Sequence, residues 1–118
     1  MNIEVFREHC LIKNGVEETF PFDEHTLVFK VMGKMFALLP LNANTPRANL
    51  KADPDWSEEL REAYHQIIPG FHMNKKHWNT VHIEDGLEEE LIYKLIDHSY
   101  DLVVSKLPQK VRTALLES

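Results

Sequence analysis

Thr26-Leu27-Val28-Phe29-Lys30-Val31-Met32-Gly33-Lys34-Met35-Phe36-Ala37-Leu38-Leu39-Pro40-Leu41 is the stretch on which the fold turns. Its first six residues alternate as a strand does, placing Leu27, Phe29 and Val31 on one face and Val28 and Lys30 on the other. Met32-Gly33-Lys34 reads as a tight hairpin, and Met35 to Leu41 returns as the partner strand. An antiparallel sheet is therefore expected at the centre of the molecule.

Toward the N-terminus, Thr19-Phe20-Pro21-Phe22 has strand chemistry and leads into a polar turn at Asp23-Glu24-His25. Ile3 to Lys13 reads as a helix capped by Asn2, with Ile3, Phe6 and Cys10 on one face, and Asn14-Gly15 ends it. Toward the C-terminus, a polar loop from Asn42 to Arg47 precedes a short strand at Ala48 to Lys51. Asp53 and Pro54 mark the start of a second helix with an apolar stripe of Trp56, Leu60, Ala63 and Tyr64.

Pro69-Gly70 then interrupts a strand-like run from Gln66 to His72. Trp78 to Glu84 alternates again, with Val81 and Ile83 facing one way and Trp78, Thr80 and His82 the other. After Asp85-Gly86, Glu88, Glu89 and Glu90 suit the first turn of a long helix, where negative charge complements the dipole. Leu91, Leu95, Ser99 and Leu102, flanked by Ile92, Ile96 and Val103, give that helix a broad apolar face. Pro108 stops it, and Gln109 to Leu116 forms a short terminal helix. The reading is one α+β domain over residues 1–118, an antiparallel sheet with helices in the order α-β-β-β-α-β-β-α.

Length and composition agree, since 118 residues suffice for one domain and the 43% apolar and 27% charged fractions are those of a globular protein. The single cysteine, Cys10, allows no internal disulfide and fits a reducing compartment. The longest apolar run, Met35 to Leu41, is far shorter than the ~20 residues that span a bilayer. The N-terminus lacks the basic and apolar regions of a secretion signal. A cytoplasmic location without membrane contact, and a monomer, are the expectations. The formal charge of −6 is unevenly spread: residues 1–24 carry −4, residues 25–82 carry +2, and residues 83–118 carry −4. Global attraction to a polyanion is excluded, so nucleic-acid binding would need a local basic patch.

No catalytic set, cofactor motif or metal motif emerges. Cys10 sits on an apolar helix face with His9 pointing about 100° away, which suits a core residue better than a nucleophile. None of the seven histidines has the spacing that puts two ligands on one helical face. Asp23-Glu24-His25 offers oxygen and imidazole ligands but equally describes a solvated turn, and Glu4, Glu8, Glu17 and Glu18 read better as an acidic surface than as a cation site. Phosphate-binding glycine loops and a serine elbow are both missing.

The densest chemistry lies in Met73-Asn74-Lys75-Lys76-His77-Trp78-Asn79-Thr80. Lysines pair with phosphates, asparagine bonds base edges or backbone, and an indole face stacks on a base. Trp78, opposite Val81 and Ile83, need not be core. Lys30, Lys34, Arg47 and Lys51 could extend the basic surface. In the competing reading, Trp78 packs under the Pro69-Gly70 loop while Asn74 and Asn79 bond loop backbone.

The chain also resembles the MmcQ/YjbR family. The segments that carry the resemblance are residues 13–22, Leu27 to Val31 with Gly33 to Ala37, Asn49-Leu50-Lys51, residues 69–80 and Ile96-Asp97-His98-Ser99-Tyr100. Gly70-Phe71-His72-Met73-Asn74-Lys75-Lys76-His77-Trp78-Asn79 is the most specific. The resemblance implies a CyaY-like or secretion-chaperone-like arrangement and a double-wing DNA-binding motif, and brings no catalytic residues with it. The acidic overall charge departs from what is usual for a DNA binder.

The leading expectation is a non-enzymatic nucleic-acid-binding module, DNA its partner, using Lys30, Lys34, Lys51, Asn74, Lys75, Lys76 and Trp78, with no cofactor. One alternative is an adaptor that binds another protein, motivated by the acidic ends. Another is a frataxin-like metal binder using Glu4, Glu8 and neighbouring carboxylates.

Overall fold

In the computed structural model, which describes residues 1–117, the hairpin forms from β2 (Thr26–Val31) and β3 (Lys34–Pro40). Met32 at φ 50° and Gly33 at φ 82° make the two-residue turn between them, so Lys34 already belongs to the returning strand. The other elements are α1 (Ile3–Leu11), β1 (Val16–Thr19), β4 (Arg47–Lys51), α2 (Pro54–Ala63), β5 (Ile67–Pro69), β6 (Trp78–His82), α3 (Glu89–Ser105) and α4 (Gln109–Leu116). The expected α+β class and antiparallel sheet hold, with four strands before α2 and two helices after β6. The N-terminal strand is set earlier than Thr19-Phe20-Pro21-Phe22, because Glu17 and Glu18 pair with Lys30 and Phe29 while Phe20 to Phe22 rise into a loop.

All neighbouring strands are antiparallel, in the sheet order β1-β2-β3-β4-β6-β5. Leu27, Phe29 and Val31 face α1 and α3, as their alternation predicts, and join Phe6, Phe36, Leu39, Ile92 and Ile96 in the main core. Phe6, Phe29, Phe36 and Tyr100 run through it as ring contacts of 6.5, 6.4 and 5.4 Å. Two ion-pair groups tie α1 down. Arg7 meets both carboxylate oxygens of Glu18 on β1, and Asp97 on α3 receives His9 at 2.7 Å and Lys13 at 2.5 Å.

Asn2 caps α1 by accepting from the Val5 N–H, and Asp53 caps α2 by accepting from the Asp55 N–H. The α2 stripe is narrower than the sequence suggests. Leu60 is buried and Trp56 half-buried, but the helix stops at Ala63, leaving Ala63 and Tyr64 exposed.

The opposite face of the sheet is not bare. Val28, Leu38 and Trp78 form a second, smaller cluster there, with Met35 and Met73 packed on it. Two loops flank this face: residues 20–25, between β1 and β2, and residues 70–77, between β5 and β6. No helix among the described residues is long and apolar enough to cross a membrane.

Candidate functional site

A break in the sheet creates the site. Between β2 and β3 the register shifts after Phe29, so that Phe29 pairs with Ala37 and Lys30 with Met35, and Phe36 is the extra residue of a bulge. Between β3 and β4 only Ala37↔Leu50 and Leu38↔Asn49 pair directly. At the next step, where Phe36 would face Lys51, the buried Ser99 hydroxyl of α3 stands between the strands. It accepts from the Lys51 N–H at 2.9 Å and donates to the Phe36 carbonyl at 2.5 Å. Beyond this bridge β4 stays with β6, through the Ala52 N–H to His77 carbonyl bond of 3.0 Å, and β3 is left to diverge.

The gap is a cavity of about 450 Å³ lined by Lys34, Met35, Lys51, Trp78 and the Val103–Pro108 corner between α3 and α4. Three ammonium groups converge on it: Lys34, Lys51 and Lys106. Burial, and then the charges of Lys106 and Lys34, hold the Lys51 ammonium below the usual lysine pKa. None of the three takes part in the ion pairs found among the described residues. Lys51 lies over the Trp78 ring, 5.6 Å from its centroid. A smaller cavity of about 140 Å³ adjoins and shares Lys51 and Lys106, with His77 and Asp53 on its wall. The arrangement is an uncompensated cationic pocket suited to an oxyanion.

Among the sequence-predicted residues, the structure thus brings Lys34, Lys51 and Trp78 together. Trp78 is on the predicted face but is only 6% exposed, so its indole forms floor and offers no free face for base stacking. The loop above it is the reason. The Gly70 N–H donates to the Trp78 carbonyl at 2.8 Å, drawing residues 70–77 across the sheet.

Asn74, Lys75, Lys76 and Lys30 do not line the cavity. Asn74 makes the loop, its side chain accepting from the Lys76 N–H and its carbonyl from the Trp78 N–H. Lys75 reaches the Gly70 carbonyl at 3.4 Å, and Lys76 is exposed on the same loop. Lys30 lies across from Glu17 of β1.

Arg61 pins the loop from the helix side, donating to Asn79 Oδ1, the Lys75 carbonyl and the Trp78 carbonyl, and Asn79 donates to Ser57. Asn79 is therefore structural. Sequence reasoning missed two contributors: Lys106, a basic residue at a helix C-terminus like many others, and Ser99, a lone hydroxyl inside an apolar helical stripe.

The alternative chemistries find little geometry. Cys10 is fully buried, its thiol pushed far up by that burial, while its neighbour His9 turns away to Asp97. Among the described residues no three His, Cys, Asp or Glu side chains converge as a metal site, and Glu18 is taken by Arg7. Asp23 is likewise occupied, accepting from the His25 and Thr26 N–H groups and the Thr26 hydroxyl, and these bonds hold its carboxyl below the usual range.

Comparison with known proteins places the chain firmly. The uncharacterized protein YjbR of Escherichia coli K12 is 33% identical over 117 residues, covering 99% of both chains. The uncharacterized protein YbdF of Escherichia coli O157:H7 is 41% identical over 80% of this chain and 78% of its own. In structure, the chain is similar to the Deinococcus radiodurans protein DR2400, described as a DUF419 domain. The TM-score is 0.92, with 40% identity over 97% of this chain and 87% of that one. A Pseudomonas syringae protein gives a TM-score of 0.76 at 28% identity over 86% of this chain and 98% of its own. The model of the YjbR family matches residues 11–102, and with these relatives it establishes that the chain belongs to the YjbR family.

Proposed function

We propose that this protein binds nucleic acid and holds the phosphate backbone at Lys34, Lys51 and Lys106. One observation carries the reading: three ammonium groups, drawn from β3, β4 and the end of α3, line one cavity without a carboxylate pairing any of them. Folding such groups together is unfavourable without an anion: burial first, and then the charges of Lys106 and Lys34, lower the Lys51 pKa. Phosphate in the cavity relieves that repulsion and makes charge-assisted hydrogen bonds. The net charge of −6 works against a polyanion, so binding depends on local basic groups and stays modest in strength.

Salt dependence tests the reading quantitatively. Three phosphate contacts on a single strand give a slope of about −2 in log affinity against log salt, a loss of about 20-fold between 50 and 200 mM. Lys34→Gln, Lys51→Gln and Lys106→Gln should each reduce the slope by about 0.7. The double variant Lys75→Gln with Lys76→Gln should keep it. Absence of binding at 50 mM salt, or a slope that responds only to Lys75 and Lys76, overturns the assignment.

A further inference from the structure

We propose that the groove between the two loops on the outer face of the sheet takes an unpaired base, making the preferred ligand single-stranded. This rests on the backbone-binding reading above and names its substrate class. The groove encloses about 390 Å³, within the range of sites that hold small planar ligands. Phe22 enters it from the 20–25 loop and Phe71 from the 70–77 loop, over a floor that includes Leu38 and Asn49. Both rings are largely solvent-facing, at 63% and 55% exposure.

The Phe71 backbone is nevertheless anchored. Its N–H donates to the Thr80 hydroxyl at 2.8 Å, and its carbonyl receives the Asn49 side chain at 3.4 Å. Thr80 and Asn49 are themselves joined at 2.6 Å. The next residue, His72, sits at φ 60° with its ring 4.3 Å from that of Phe71. An exposed aromatic on an anchored backbone is a stacking surface whose ordering cost is reduced.

The charge is complementary as well. Arg47 lies 5.9 Å from the Phe71 ring centroid, where it can meet a phosphate beside the stacked base. Asp23, also on the groove wall, has its carboxylate turned to the N–H groups of its own turn. The groove and the lysine cavity sit at the two ends of β4, Arg47 and Asn49 lining one and Lys51 the other, four residues or about 13 Å from end to end. A single strand crossing this face would lay phosphates at the lysines and a base between the phenylalanines. A duplex keeps its bases stacked and can use only the phosphate contacts.

Fluorescence anisotropy with a labelled 12-nucleotide single strand, its duplex and an otherwise identical abasic strand tests this directly. The native protein should bind the single strand about 5- to 150-fold more tightly than the abasic strand. Phe71→Ala should remove most of that difference and leave duplex affinity unchanged, while Phe71→Trp should retain it. Thermal unfolding checks that the variants are folded, and the ring's exposure predicts that they are. Equal affinity for abasic and normal strands, or a Phe71→Ala loss shared by duplex and abasic strand, overturns the base site while leaving phosphate binding intact. No binding of any of the three overturns the phosphate reading itself, and the base site with it.

Discussion

Replacing Ser99 by alanine isolates the device that opens the site. The hydroxyl is fully buried and substitutes for the direct Phe36–Lys51 ladder bond, so its removal strands one N–H and one carbonyl between β3 and β4. Each buried backbone group left unsatisfied costs about 1–3 kcal/mol. The Lys51 amide is near the cavity and can be partly rescued by water, which brings the expected total to about 2–4 kcal/mol. A chain of 118 residues unfolds with an entropy of about 0.25 kcal/mol/K, so each kcal/mol lowers Tm by about 4 °C and the variant should melt about 8–16 °C early. Ser105→Ala is the control. Its hydroxyl is exposed and bonds only the Leu102 carbonyl one turn back, so its effect should stay within about 0.5 kcal/mol. Thermal and urea unfolding give the energies, and amide exchange at Lys51 gives the local effect. A Ser99→Ala cost below about 1 kcal/mol, or an unaltered Lys51 exchange rate, would refute the bridging role.

Gly70→Ala should destabilise by about 1–3 kcal/mol, because the new methyl carbon would lie 2.8 Å from both Cβ and the carbonyl oxygen of Trp78. Gly33→Asn should cost less than Gly33→Ala by the same urea assay, since φ 82° strains any side chain but asparagine enters the left-handed region more readily. Asp97→Asn should remove about 0.5–1 kcal/mol at neutral pH, the small value reflecting a side chain that is 47% exposed. Burial alone would raise the Asp97 carboxyl, but the hydrogen bonds and charges of Lys13 and His9 outweigh it and hold the pKa low. A folded value below the unfolded one means the stabilisation is present above about pH 4 and is lost as pH falls through the folded value. The difference in Tm between native protein and variant should therefore shrink on acidification.

The hairpin, the caps at Asn2 and Asp53, and the core face of β2 were legible because each is local chemistry: alternation, a turn glycine, a side chain two or three residues from the N–H it caps. What lay across the sheet was not. Trp78 alternates correctly onto the outer face, but its burial depends on a loop drawn over it by Gly70 and by Arg61 from another helix. Lys34 and Lys51 were picked out by charge, whereas Lys106, 55 positions beyond Lys51, meets them only because α3 ends beside the splayed strands. Asn74, expected to meet a ligand, and Asn79 nearby follow the competing structural reading, satisfying the protein's own backbone and side chains. For Phe22 and Phe71 a signal was present: each is a large apolar ring beside turn residues Pro21, Asp23 and Gly70.

The location of the bound strand is the most direct test of all. With isotope-labelled protein and a short single-stranded oligonucleotide, amide shift changes should appear at Lys34, Lys51 and Lys106 and at the Trp78 indole N–H beneath them. Shifts confined to the exposed Lys75–Lys76 turn, or a spectrum that stays unchanged as the strand is added, would contradict the assignment.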